Sequence, residues 1–357
     1  MSIRTFKYLS PCLVYIGAVT SFLAQGFPIW IPLIYAWIII PVLELFIKPD
    51  ASNLSATEEE IAKQNKLYDY LLYLIVPLQL FALGLFLYSV TYVQQPLIDI
   101  AGKTAVMGLL CGTFGINVGH ELGHRVNKAE QFFAKLLLLS SLYMHFFIEH
   151  NRGHHKRVAT PEDPSSARYG ETVYAFYFRS IVFSYLSAWK IANNETRKKG
   201  YQPFSVKNEM IQFHLIQIAF VATIFFAFGW LTAVLFLAAA IQGILLLETV
   251  NYIEHYGLQR SEVGDGRWER TMPEHSWNSN HIIGRVMLFE LSRHSDHHYL
   301  ASRKYQLLRH HNNSPQMPAG YPGMMILSLL PPAWFLIMNR RIKELQQEAA
   351  FLPVALN

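Results

Sequence analysis

Charge is scarce in this chain. Asp, Glu, Lys and Arg make up 15% of its 357 residues, where an ordinary soluble domain carries about 25%. Apolar residues make up 52%. So little charge cannot cover a water-facing surface, which points to an integral membrane protein. Cysteine is scarcer still: Cys12 and Cys111 both lie in apolar runs, excluding a disulfide framework and a four-thiolate metal site. The 30 Lys and Arg against 25 Asp and Glu leave a net charge of +5. Such a balance would suggest nucleic acid if the bases clustered on a soluble surface. They cluster at membrane edges instead, and no nucleic-acid partner is expected. A convincing cleavable signal is lacking too, since a second apolar run follows the first at once, and the first reads as a signal-anchor. Internal repeats and low-complexity segments are not evident.

Six segments are long and apolar enough to cross a bilayer, which takes about 20 residues per helix: roughly 8–26, 28–47, 70–93, 98–119, 211–229 and 231–253. Met210 to Leu247 contains no formal charge. One helix of that length would reach about 57 Å, nearly twice the ~30 Å hydrocarbon core. The run must therefore turn back, at Phe228-Gly229-Trp230. The expected fold is all-α, with six transmembrane helices and a single domain over 1–357. If the N-terminus is cytoplasmic, the outer loops Gly26-Phe27, Gln94–Pro96 and Gly229-Trp230 hold no Lys or Arg, as the positive-inside rule requires. Among the basic residues only Lys103 then lies in the outer half, one turn after Asp99, where the two can pair. Regions 120–210 and 254–357 become cytoplasmic. Residues 136–148 are too short to span and read as a buried or re-entrant helix. Residues 319–339, broken by Pro331-Pro332, read as docked at the interface, and 49–67 as a polar connector.

Histidine is what the chain has in excess, with fifteen residues. His120 and His124 stand i, i+4 in HELGH; EHNRGHH holds His150, His154 and His155. NYIEHYGL places His255 at the end of the sixth span, and LSRHSDHHYL holds His294, His297 and His298. Residues three and four apart share a helix face, so paired imidazoles can reach one ion at about 2.0–2.2 Å. Every one of these groups falls on one side of the membrane by the independent charge argument. His145, His214, His310 and His311 read as ordinary solvated or capping residues. Nine clustered imidazoles exceed the three of a catalytic zinc site and suffice for two metal ions. Imidazole alone does not choose among Fe, Zn, Cu and Ni.

The ordered set HELGHR, EHNRGHH, NYIEHYGL, HSWNSNH and LSRHSDHH resembles the integral-membrane alkane 1-monooxygenases of the fatty-acid desaturase and membrane hydroxylase superfamily. The resemblance runs from the first span to about Pro332, and His255-Tyr256-Gly257 is its most discriminating element. Stretches ATPEDPSSARYGE and SRKYQLLRH add to it. It implies a non-haem centre of two iron ions held by His120, His124, His150, His154, His155, His255, His294, His297 and His298. It also implies an n-alkane substrate and electrons from a separate rubredoxin, itself reduced by rubredoxin reductase. A fused rubredoxin is not expected, for want of four Cys. Arg125 stands where many members have Lys, which keeps the charge. The implied setting is a bacterial inner membrane, with membrane lipid around the spans and the site facing the cytoplasm.

The reaction so implied inserts oxygen into a terminal C–H bond. An unactivated methyl group offers no acidic proton and no electrophilic carbon, so a redox metal must carry the step. Metal-bound imidazoles usually donate their second N–H to a carboxylate, carbonyl or water. Glu121, Glu149, Glu254 and Asp296 adjoin ligands in sequence and are candidates for that role, with Asn251, Trp277, Asn278 and Asn280 behind them; each could equally be a solvated or ion-paired group. Trp37, in the second span, is a candidate stop for substrate length, with plain packing as the alternative. Arg152, Lys156, Arg157, Arg303 and Lys304 offer charge to an acidic electron donor. Three rival readings remain. A zinc protease would use Glu121 as base and leave most of the clustered histidines unemployed. A metal transporter would place its site near the midplane. A desaturase or another hydroxylase of the superfamily would act on a different substrate.

Overall fold

Residues 3–351 are described in the computed structural model. Helices make up the fold, and among the described residues the only β pairing is two isolated bridges, Glu262 with Trp268 and Asn278 with Gln316. In lipid every backbone N–H and C=O must be satisfied within its own segment, which long uncharged runs achieve as helices. Five helices are long and apolar enough to span: α2 (Phe27–Phe46), α4 (Leu67–Tyr92), α5 (Leu97–Gly123), α9 (Glu209–Phe228) and α10 (Trp230–His255). The first expected span, α1 (Lys7–Leu23), is apolar but shorter. Between these and after them lie α3 (Ala56–Gln64), α6 (Lys128–Ser140), α7 (146–157), α8 (Val173–Lys198), α11 (Ile282–Met287), α12 (His294–Tyr299), α13 (Tyr321–Ser328) and α14 (Pro331–Phe351).

Glycine sets a close contact in the bundle, between α5 and α10. A Cβ on Gly243 would lie 2.6 Å from the Cys111 Cβ and 2.9 Å from the Gly112 nitrogen. Small residues let the two backbones approach where lipid supplies no hydrophobic drive. That approach matters for the site, because α5 carries His120 in its last turn and α10 ends in His255.

Several expectations are corrected. Lys103 does not pair with Asp99: its Nζ donates to the Phe22 carbonyl at 3.0 Å. Asp99 accepts the Gly26 N–H at 2.9 Å, so the two residues together tie down the α1–α2 turn. Residues 136–148 are not one helix. Helix α6 stops at Ser140, and Leu142 takes a left-handed φ of 52° before α7 begins. The polar connector contains α3, started by a capping box in which Ser55 Oγ accepts the Glu58 N–H while Glu58 accepts the Ser55 N–H. In the 319–339 stretch Pro331 begins α14 rather than breaking a helix, as its missing N–H allows at a first turn. Trp334, Met338 and Ile342 then pack with Tyr252 and Tyr256.

Helix α8 was not anticipated from the sequence. Its buried stripe Val173, Phe176, Ser180, Ser184, Ala188, Ala192, Thr196 recurs every three or four residues, with a Thr172 cap whose oxygen accepts the Ala175 N–H. Ser180 Oγ donates to Glu248 at 2.5 Å, and Tyr177 and Thr249 hydroxyls bond at 2.5 Å. Helix α8 thereby braces α10 two turns above His255.

Replacing Gly243 with Leu overpacks this contact, and is expected to cost about 1–3 kcal/mol. Thermal unfolding in detergent checks it: the midpoint should fall for Gly243→Leu and hold for Gly84→Leu, where a Cβ meets nothing within 4 Å.

Candidate metal centre

Four elements converge at one end of the bundle and bring nine histidines together. They form two groups of ring nitrogens, each mutually within 4.8 Å: His120, His124, His150, His155 and His297, and then His154, His255, His294 and His298. In the first group Nε2 atoms face one another, His120 to His297 at 3.0 Å, His124 to His120 at 3.0 Å, His155 to His150 at 2.9 Å and His297 to His155 at 3.1 Å. In the second, His154 faces His298 and His294 faces His255, both at 3.2 Å.

The division between the groups follows from local backbone. On an α-helix His150 and His155 would point well apart at about 100° per residue. Residues His150–His154 form a π turn, whose i→i+5 closure puts His150 and His155 on one side and frees His154 for the other group. On α12 the i, i+4 pair His294 and His298 serves the second group, while His297 between them serves the first. Helices α7 and α12 therefore contribute to both groups and fix their spacing.

Neutral imidazole is the ligand form, and the surroundings enforce it. Burial, then mutual repulsion with other rings, holds His124, His150, His155, His294 and His298 well below the usual imidazole range. His297 falls to about 3, first through burial and next through His154. His154 is the exception: burial lowers it, but the Asp163 carboxylate, 2.8 Å from Nδ1, outweighs burial and raises it. That bond keeps the His154 proton on Nδ1 and leaves the Nε2 lone pair aimed at the second group.

The nominated carboxylates divide. Glu254 places Oε2 3.1 Å from His294 Nε2 and accepts the Tyr321 hydroxyl on Oε1 at 2.8 Å. Glu121 instead accepts Arg125 at 2.5 Å and the Tyr305 N–H at 3.2 Å. Glu149 accepts Arg157 at 2.5 Å. Asp296 accepts Arg303 and the Arg309 N–H and bonds His311, a histidine outside both groups. Asn251 reaches Glu248, Trp277 donates to the Tyr256 carbonyl, Asn278 pairs with Gln316 and Ser295, and Asn280 with His310 and Gln316. None of these touches a clustered ring among the described hydrogen bonds. Besides Glu254, a second carboxylate reaches a clustered ring: Asp163, at His154, which sequence spacing does not reveal because the turn that carries it back to His154 has no helical spacing to read. His275 and His281 bond Met272 and Ser279, outside both groups.

Of the five basic residues offered to an electron donor, four are committed internally. Arg152 pairs with Glu195 and Glu209, Arg157 with Glu149, Arg303 with Asp296 and Lys304 with Asp69. Lys156 is exposed.

Do these residues fit a metal pair? Donors at 2.0–2.2 Å from one ion can stand no more than about 4.4 Å apart, close to the spread seen. Glu254 is 1% exposed with no Lys or Arg beside it among the described residues, and a buried carboxylate calls for a cation. The fit is good for one ion in each group. An apolar cavity lies nearby, walled by Trp37, Leu109, Gly112, Leu246, Met287 and Met325. Its lining includes Asn117 and Leu291, each three residues before His120 and His294. Two further π segments, Tyr35–Ile39 and Cys111–Ile116, border it.

A family model described as fatty acid desaturase matches residues 101–328. Alkane 1-monooxygenase 2 of Pseudomonas aeruginosa is 39% identical over 319 residues, 88% of this chain and 84% of that protein. Alkane 1-monooxygenase of Acinetobacter baylyi is 40% identical over 311 residues, covering 87% and 76%. The xylene/toluene monooxygenase hydroxylase component of Pseudomonas putida is 29% identical over 283 residues, covering 78% and 75%.

Replacing Asp163 with Ala removes the group that orients His154. Loss of such an outer partner is expected to weaken metal binding about 10–100-fold, measured as metal retained per chain against a chelator series.

Proposed function

The chain belongs to the fatty acid desaturase family and within it to the integral-membrane alkane 1-monooxygenases, and on that premise we propose that it hydroxylates n-alkanes at a terminal carbon. In balance, alkane, O2, two electrons and two protons give a 1-alkanol and water. The observation that carries the reading is an apolar cavity whose lining includes Asn117 and Leu291, three residues before the clustered His120 and His294. Two iron ions are the proposed cofactors, held by His120, His124, His150, His155 and His297 on one side and His154, His255, His294 and His298 on the other. Bound iron supplies the O2 reduction and C–H oxidation that no side chain can perform.

The chain's own residues do the rest. The cavity walls take up an alkyl chain and exclude water, which leaves the substrate methyl as the only part that can approach the histidines. Asp163 holds a proton on His154 Nδ1. Tyr321 holds the Glu254 carboxylate in place. Trp37 lines the cavity, and in this reading its indole limits chain length. The electron donor is a separate rubredoxin, reduced by rubredoxin reductase. The site faces the cytoplasm of a bacterial inner membrane, consistent with outer loops free of Lys and Arg.

Membranes carrying the protein, given rubredoxin, its reductase, NADH and a series of n-alkanes, should yield 1-alkanols. An iron-loaded sample that yields none at any chain length contradicts the assignment. Trp37→Ala should move the preferred substrate to longer chains; a profile identical to the parent's would remove Trp37 from that role.

A further inference from the structure

Glu44 is a buried carboxylate that nothing so far employs. It sits near the C-terminal end of α2, 4% exposed. Its Oε1 accepts the Gly284 N–H at 2.6 Å, and its Oε2 is buried without a hydrogen-bond partner. Among the described residues it has no ion pair with Lys, Arg or His. The bond to Gly284 is physically favoured, because the first N–H groups of a helix have no intrahelical acceptor, and α11 begins at Ile282. The space around the carboxylate depends on glycine. A Cβ on Gly320 would fall 1.8 Å from Oε2, and one on Gly284 3.1 Å from Oε1.

The position of this contact gives it meaning. Trp37 and Glu44 lie seven residues apart on α2. That helix carries Ile38, Val42, Leu45 and Phe46 exposed on its outer surface. At this end it packs on α11 and α13. Beyond Gly284 the chain supplies Met287, Leu288 and Leu291 to the cavity and then His294; beyond Gly320 it supplies Pro322 and Met325. Glu44 is thus the polar tie between the wall that carries Trp37 and the segment that carries His294.

We propose that Glu44, seated between Gly284 and Gly320, is a positioning residue that sets where along its length a bound alkyl chain meets the metal centre. This rests on the alkane reading of the cavity. With the tie intact, the α2 wall holds one register and the terminal methyl is presented. With the tie cut, α2 is free to shift against α11, and neighbouring carbons and other chain lengths gain access. The tie needs an acceptor oxygen and not a charge, so the amide of Gln serves where Ala does not.

The test compares parent, Glu44→Gln, Glu44→Ala and Gly320→Ala, each assayed for metal content and for the ratio of 1-alkanol to 2-alkanol over an n-alkane series. Gly320 has φ −71°, which Ala adopts freely, so that variant acts only by colliding with the carboxylate. Glu44→Ala and Gly320→Ala should keep the parent's metal content and raise the 2-alkanol share at least about fivefold. Their KM profile across chain length should shift together, while Glu44→Gln stays within about twofold of the parent. Parent-like regioselectivity and chain-length profile in Glu44→Ala or Gly320→Ala overturns the proposal. So does failure of both to insert with metal, which would make Glu44 an anchor of the fold alone. A parent enzyme that makes no alkanol defeats the alkane reading instead, and the two failures stay distinct.

Discussion

The structure depends on nine imidazoles held face to face away from water. Their ring nitrogens approach to about 3 Å in two clusters, and burial keeps the rings neutral where His154 is not held by Asp163. Buried polar groups need partners, and lone pairs that converge on one point find theirs in a cation. The rest of the bundle is arranged around that requirement. The glycine contact between α5 and α10 brings two histidine-bearing ends together, and α8 packs against α10. The chain from Asp296 to Arg303, Arg309 and His311 shapes the loop after the last histidines.

A cluster of this kind beside a cavity without charge divides the labour cleanly. Recognition of an alkyl chain requires shape and exclusion of water, because the ligand has no polar atom to bond. Recognition therefore falls to helix faces and to the places where helices depart from α geometry. Tyr35–Ile39 and Cys111–Ile116, both π segments, border the cavity, while the third among the described residues, His150–His154, sorts histidines between the two clusters. Each departure re-aims side chains that a regular helix would send elsewhere.

Much of this was legible in the residues. Charge depletion and apolar run length gave the membrane class and most span positions, and i, i+3 and i, i+4 histidine spacing gave the ligand candidates that the fold then brings together. HELGH taken alone matches a zinc-protease signature; only its companions redirect it. What spacing could not supply was the partition into five and four, since the π turn in α7 has no signature in EHNRGHH. Adjacency was also a poor guide to outer partners. Glu121, beside His120, turns to Arg125, whereas Asp163, nine residues from His154, reaches its ring. Helix α8 was hidden because its stripe is built of Ser, Ala and Thr, which carry little hydropathy signal.

The most direct test of the two-cluster account is metal stoichiometry. Protein purified without oxygen, loaded with ferrous iron and desalted, should hold two irons per chain by elemental analysis. His255→Ala, which strips one ligand from the four-histidine cluster alone, should hold about one, since structural metal sites lose affinity steeply with a missing ligand. A single zinc with no iron in the parent, or two tightly held irons in His255→Ala, would contradict it.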